Sequence, residues 1–224
     1  MSFVHRKESL LGYDDLTATT LPTGRTYATP TGERYPSITT VLSILSEEHI
    51  AAWKEKVGEE EARKVSFRAS NRGTKVHEMI EKYVANDPDY AVGYMPHVVA
   101  NFRSVKPILD SRLGLIYEQE AALYSHHLGV AGRVDLVGEF DGQLSIVDWK
   151  TSAKTKRKSW VENYFIQESA YAIMWEERTG VPITQLVTII AVDHSKPQVF
   201  VEHRDSWSKT LLETIDLFKT RNSL

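Results

Sequence analysis

The 224-residue sequence has no cysteine, so disulfides, cysteine-ligated zinc and cysteine-held iron–sulfur clusters are excluded. No apolar run is long enough to span a bilayer. Met1 to Leu16 carries Glu8, Asp14 and Asp15 and has no uninterrupted apolar stretch that would serve as an export signal. The expectation is a cytoplasmic protein without a membrane partner. An excess of positive charge is missing too. The formal net charge is −3, so any nucleic-acid contact must come from a local patch. Internal repeats and low-complexity linkers are absent. What is present is a chain of ordinary single-domain length, 42% hydrophobic and able to build a core.

The pattern along the chain changes character near residue 114. Thr23 to Tyr35 is rich in Thr, Gly, Pro and Tyr and reads as a hairpin or extended segment. Ser37 is placed to cap a helix whose apolar stripe is Ile38, Val41, Leu42 and Leu45. A charge-rich helix or loop follows through Glu47 to Arg68. Thr74 to Val84 is helical by pattern, with Val76, Ile80, Tyr83 and Val84 inward, and Asp87-Pro88-Asp89 breaks it. Val98 to Leu113 gives a further helix, buried through Val98, Phe102, Val105, Ile108 and Leu109. Three strands are predicted next, over Ile116 to Tyr124, Ala131 to Phe140 and Gln143 to Lys150. A helix over Ser159 to Thr179 is stopped by Gly180 and Pro182. Strands over Leu186 to Val192 and Gln198 to His203 precede a last helix opened by Ser206. This order predicts one mixed α/β domain over 1–224: an extended segment to 35, a helical region over 36–113, and a core over 114–224 built on a central mixed sheet flanked by helices.

The chemistry concentrates in the strand region. Asp141-Gly142 is a strong two-residue hairpin signal. With that turn, paired residue numbers keep a constant sum, which sets Asp135 opposite Asp148, and Lys150 shares a sheet face with Asp148. Two carboxylates this close repel unless a cation lies between them, and hard oxygen ligands suit Mg²⁺ or Mn²⁺. An Asp–Lys pair in a sheet also suits a structural salt bridge. As a catalytic group, Lys150 would orient a water, help deprotonate it, or stabilise charge on a phosphate. Directly after it, Lys154, Lys156, Arg157 and Lys158 form a run without acids. Such a run is either a solvated loop or a phosphate-backbone contact. His77 and Glu81, four apart, share one helix face. His77 is either an ordinary helix histidine or a metal ligand, and Glu120 either a strand charge or a further ligand. Gln167 and Tyr171, also four apart, would touch DNA by hydrogen bonding and stacking.

Gly132-x-x-Asp135, Asp148-Trp149-Lys150-Thr151-Ser152 and Gln167-x-x-x-Tyr171, in this order, resemble the motifs of the PD-(D/E)XK nuclease superfamily. The upstream Arg72-Gly73-Thr74-x-x-His77 resembles its RecB-like branch, and the chain is most similar there to mitochondrial genome maintenance and small phage exonucleases. The resemblance implies a restriction-endonuclease-like core with an N-terminal helical elaboration. It implies that His77, Asp135, Asp148 and the Trp149 backbone carbonyl hold one or two Mg²⁺ or Mn²⁺ ions. Lys150 and the matching Glu120 are then catalytic. Arg72, Thr74, Thr151 and Ser152, with Lys154, Lys156, Arg157, Lys158, Gln167 and Tyr171, line the DNA path. Asp148 stands where many members have Glu, and the cysteine-ligated cluster of some relatives is missing.

The expected activity is metal-dependent hydrolysis of DNA from free single-stranded ends, leaving 5′-phosphates, in replication, recombination or repair. The helices of 36–113 would arch over the site. Such a stand-alone enzyme suits a phage gene set and a host cytoplasm. The rivals are a structure-selective endonuclease, a silent DNA-binding module, and a nuclease acting on RNA.

Overall fold

The computed structural model describes residues 2–223. Its centre is a five-stranded mixed sheet of β4 (Leu113–Ser125), β5 (Val130–Phe140), β6 (Gln143–Ser152), β7 (Gln185–Val192) and β8 (Gln198–His203), hydrogen-bonded in that order. All neighbours are antiparallel except β6 and β7, which run parallel. That parallel pair needs a crossover, supplied by helix α5 (Glu162–Thr179), which Gly180 ends at φ +71°. The Asp141-Gly142 turn forms with both residues at positive φ, 54° and 78°, as a type I′ hairpin requires. The constant-sum register holds from Phe140↔Gln143 to Leu136↔Val147. There the ladder stops, one step short of Asp135 and Asp148. Beyond it β5 stays with β4, apart from a bridge of Ala131 to Ser37, and β6 continues along β7 to Ser152↔Val192. The two strands therefore fork.

Helices cover both faces of the sheet. On one face, α3 (Glu59–Val84) and α4 (Pro96–Arg112) bury Val76, Met79, Ile80, Phe102 and Leu109 against Leu136, Val147, Trp149, Val187 and Ile189. Each large side chain so buried contributes roughly 1.5–3 kcal/mol. On the other face, α1 (Ile38–Leu42), α5 and α6 (Asp205–Asn222) pack Ile38, Val41, Ile166, Trp175, Leu211 and Ile215 over Val134, Val137, Ile146 and Leu186. Val134 and Leu136, two apart on β5, thus enter different cores. The alternation of faces breaks at Asp135, level with Glu120 of β4, a non-glycine residue at φ +51°.

Several boundaries differ from the sequence expectation. β1 (Thr17–Leu21), β2 (Gly24–Ala28) and β3 (Arg34–Pro36) form a small antiparallel sheet, of which β1 lies before the hairpin expected over Thr23 to Tyr35. Ser37 does cap α1, accepting from the Thr40 N–H at 3.1 Å. Leu45, expected inside, is 41% exposed, because a 3₁₀ turn over Ser43–Leu45 rotates it off the stripe. The stretch Glu47 to Arg68 is helical, as α2 (Glu47–Val57) and the first half of α3. Ser206 is not the cap of α6, which begins at Asp205 with Arg204 at the cap position. The region 36–113 is not one layer either: α1 packs on the face opposite α3 and α4. Within 59–71, only Ala62 is buried, so the first half of α3 stands away from the core. No helix among the described residues is long and apolar enough to cross a membrane.

Candidate active site

The site lies in the mouth of the β5–β6 fork. Asp135 reaches across the gap, its Oδ2 accepting from the Trp149 N–H at 2.9 Å, the donor a continuing ladder would have used. The same oxygen is 3.5 Å from His77 Nδ1, so α3 supplies the imidazole from one side of the sheet. From the other side comes α5. Gln167 donates through Nε2 to Asp148 Oδ1 at 3.2 Å and is 3.4 Å from the Tyr171 hydroxyl. Asp148 is 1% exposed. Lys150 Nζ pairs with Asp148 Oδ2 as a close charge contact without directed hydrogen-bond geometry. Lys150 Nζ also lies 5.1 Å from the centre of the Tyr164 ring. Trp149, between them, turns its indole into the opposite core.

Gly132 has a steric role here. A Cβ on it would lie 2.7 Å from a Tyr171 ring carbon and 3.2 Å from Ile38. Only glycine lets α5 approach close enough for Gln167 to reach Asp148. Gly73 of α3 faces β6 less tightly: a Cβ there would lie 3.6 Å from Thr151 Oγ1, an ordinary contact.

The electrostatics are those of crowded carboxylates. Burial, then the Asp148 charge, pushes the Asp135 carboxyl up to about 6. Burial, then Asp135, pushes Glu120 up to about 8. Burial also acts to lower the Lys150 amine, but the Asp148 and Asp135 carboxylates outweigh it and hold the amine above the ordinary lysine value. Lys150 is thus cationic, yet three carboxyls in one fork exceed what it can offset. A divalent cation would relieve that excess, and the donors are carboxylate oxygens and an imidazole, which suit Mg²⁺ or Mn²⁺. Among the described residues, no three His, Asp or Glu side chains form a closed metal-binding group. The fit therefore rests on donor chemistry and charge.

The expected DNA-contacting residues divide. Thr74 is exposed on α3, Lys154, Arg157 and Lys158 are exposed in the loop that follows β6, and Thr151 is half-buried. Arg157 lies 5.3 Å from the Trp160 ring, and Lys158 pairs with Glu202 at 2.6 Å. Lys156 is half-buried, with its N–H and carbonyl both bonded to the Gln198 side chain. Arg72 pairs with Asp193 at 2.5 Å, and Asn101 donates to the same carboxylate at 2.9 Å. Two readings change. Tyr171 is 2% exposed against Gly132, so its ring cannot stack on a base. Ser152 is buried, and its hydroxyl donates to the Lys154 carbonyl at 2.6 Å, closing the loop instead of facing DNA.

The sequence reading missed Glu168. It is fully buried beneath Asp148, with Oε1 accepting from Thr188 Oγ1 and Oε2 without a partner. Thr188 is the β7 register partner of Asp148. Burial, with Asp148 next, raises the Glu168 carboxyl well above the usual range. The signal was there: Glu168 is the only charged residue between Asn163 and Trp175.

The chain is similar to a family and to two proteins. The PD-(D/E)XK nuclease superfamily profile matches residues 100–218, a span that holds Glu120, Asp135, Asp148, Lys150 and Gln167 but not His77. Mitochondrial genome maintenance exonuclease 1 from Mus musculus is 26% identical over 129 residues, 54% of this chain but only 38% of that protein's length. A solved candidate exonuclease from Eubacterium rectale shares 16% identity at a TM-score of 0.45, covering 67% of this chain and 65% of that one. The family match spans more than half of the sequence, and the protein belongs to the PD-(D/E)XK nuclease superfamily.

Proposed function

We propose that the protein is a divalent-metal-dependent deoxyribonuclease that removes nucleotides from free single-stranded ends and leaves 5′-phosphates. The observation that carries this reading is the convergence of His77, Asp135, Asp148 and Lys150 in one fork of the sheet. His77, Asp135 and Asp148 would hold the cation, with the Trp149 carbonyl and Glu120 as further oxygen donors. When bound, the cation supplies Lewis acidity toward water and toward the phosphate.

The chain's own groups do the rest. Gln167 fixes Asp148 through Oδ1. The Trp149 N–H fixes Asp135 through Oδ2. Lys150 presents a cationic amine to the non-bridging phosphate oxygens and stabilises the charge that grows there as water attacks. The water oxygen bonds to phosphorus, the bond from phosphorus to the 3′ oxygen breaks, and a proton passes to that oxygen. The products are a 5′-phosphate and a 3′-hydroxyl. The exposed cations Lys154 and Arg157 attract the backbone.

End-labelled linear and closed circular single-stranded DNA, incubated with Mg²⁺, Mn²⁺ or EDTA, tests this. Metal-dependent loss of the linear strand with circles intact is expected, with 5′-phosphate on the products. Cutting of circles would replace the reading with an endonuclease. Binding without cleavage under either metal would replace it with a silent module, and cleavage confined to RNA would overturn the substrate.

A further inference from the structure

A cavity of about 1,090 Å³ lies beside the catalytic fork, between the exposed half of α3, the start of α4 and the turn from β7 to β8. Its lining includes Phe67, Arg68, Arg72, Asp193, His194 and Lys196. Three permanent cations face one carboxylate there, and that carboxylate already accepts from Arg72 and Asn101. Asp193 is therefore not left to repel an anion. This concentration of positive charge occurs in a chain of net charge −3. The volume lies at or above the top of the roughly 300–1,000 Å³ usual for a small-molecule pocket, which suits a polymer better than a metabolite.

Two elements lead from the fork toward the cavity, and they give spacings of the same order. On α3, Arg72 and Phe67 are five and ten residues before His77, or roughly 7 and 15 Å along the helix. On β6, Ser152 is four residues beyond Asp148, about 13 Å along the strand. Its carbonyl accepts from the Asp193 N–H at 2.9 Å. The cavity thus begins within roughly 7–15 Å of the catalytic centre, a reach of a few nucleotides along one strand. Phe67 is 70% exposed on its wall, an apolar ring held out to solvent. A base can stack on such a ring only if its face is free, which in a duplex it is not.

We propose that this cavity is a second subsite for single-stranded DNA. Phe67 stacks on a base of the strand a few nucleotides from the scissile phosphate, while Arg68 and Lys196 contact its phosphates. The inference rests on the nuclease reading and adds to it a strand-holding site outside the catalytic fork.

Fluorescence anisotropy with labelled single-stranded DNA in EDTA tests the subsite without cleavage. Phe67→Ala is expected to raise Kd about 5-fold or more. Arg68→Ala and Lys196→Ala should each flatten the slope of log affinity against log salt by about 0.7. Lys209→Ala, 88% exposed in α6 on the opposite face, serves as the control and should leave both unchanged. Wild-type affinity and slope in all three cavity variants would overturn the subsite. So would duplex DNA bound as tightly as single strands with the same dependence on Phe67. The two readings fail separately. Absence of cleavage by the wild-type protein in Mg²⁺ and Mn²⁺, with binding lost in the cavity variants, would remove the nuclease and keep the subsite. Normal cleavage with unaffected binding would do the reverse.

Discussion

The floor of the fork and its rim use polar residues in opposite ways. On the floor, Asp148, Glu168 and Tyr171 are almost fully buried, and Gln167, Thr188, Gly132 and the Trp149 N–H hold or admit the acidic and aromatic side chains there. On the rim, Lys154, Arg157 and Lys158 stand in solvent. A buried polar group that loses its partner carries the full cost of its desolvation, whereas an exposed cation falls back on water. Floor substitutions should therefore act through geometry and be large. Rim substitutions should act through charge, be small, and fade with salt.

Lys150→Ala should break the comparison most strongly. It removes the cation paired with Asp148, which the proposed mechanism uses to stabilise charge on the phosphate. A fall in kcat of about 10²–10³-fold is expected, with single-strand binding in EDTA retained. Stopped single-turnover assays beside anisotropy would check it, and full activity would remove Lys150 from the mechanism.

Gln167→Ala comes next. In the structure the residue donates to Asp148 Oδ1, which would make it a positioning residue. Loss of such a support lowers metal affinity or activity by about 10–100-fold. The metal titration distinguishes roles: a raised Mg²⁺ requirement with little change in Kd for DNA supports positioning, and the converse supports direct DNA contact.

Glu168→Gln should show itself in stability. The fold raises the Glu168 carboxyl above its unfolded value because it is buried beside Asp148. Below the unfolded value, near 4.5, both states hold the proton and nothing is lost. As pH rises above it, the unfolded chain releases the proton first, and the wild type loses up to about 1.4 kcal/mol per pH unit. Glutamine cannot ionise. The variant's melting temperature should therefore gain on the wild type between pH 5 and pH 8. An unchanged difference would mean that Glu168 is ionised in the fold.

Much of this floor was legible in sequence because its geometry is local. Asp141-Gly142 dictates the turn, the turn dictates the register, and the register aligns Asp135 with Asp148. The fork itself was not legible. It arises because β6 leaves β5 to pair in parallel with β7, a contact some forty residues away. The burial of Tyr171 was hidden for a related reason. Helical spacing puts it on the same face as Gln167, but only the missing Cβ of Gly132, on a distant strand, draws its ring inward. The run from Glu47 to Arg68 was ambiguous because its helices carry almost no buried stripe, Ala62 excepted, and local propensity alone is a weak guide. His77 needed the tertiary structure, since nothing in one helix turn states that Asp135 will lie 3.5 Å from its ring.

The smallest expected effect sharpens the comparison from the rim side. Lys154 is exposed and forms no side-chain ion pair among the described residues, whereas Lys158 is tied to Glu202. A free lysine that contacts one phosphate releases about one counterion, so Lys154→Ala should lower the salt slope for single-stranded DNA by about 0.7. The loss of affinity should be a few-fold at low salt and vanish as salt rises, because the Debye length shrinks from about 10 Å at 0.1 M to about 3 Å at 1 M. Lys158→Ala should change the salt slope less, since its charge is already paired with Glu202 and releases fewer counterions on meeting a phosphate. If both lysines give the same slope change, the Glu202 pair does not persist in solution. If neither changes it, the phosphate path runs elsewhere, and the rim is the solvated loop that its composition alone would suggest.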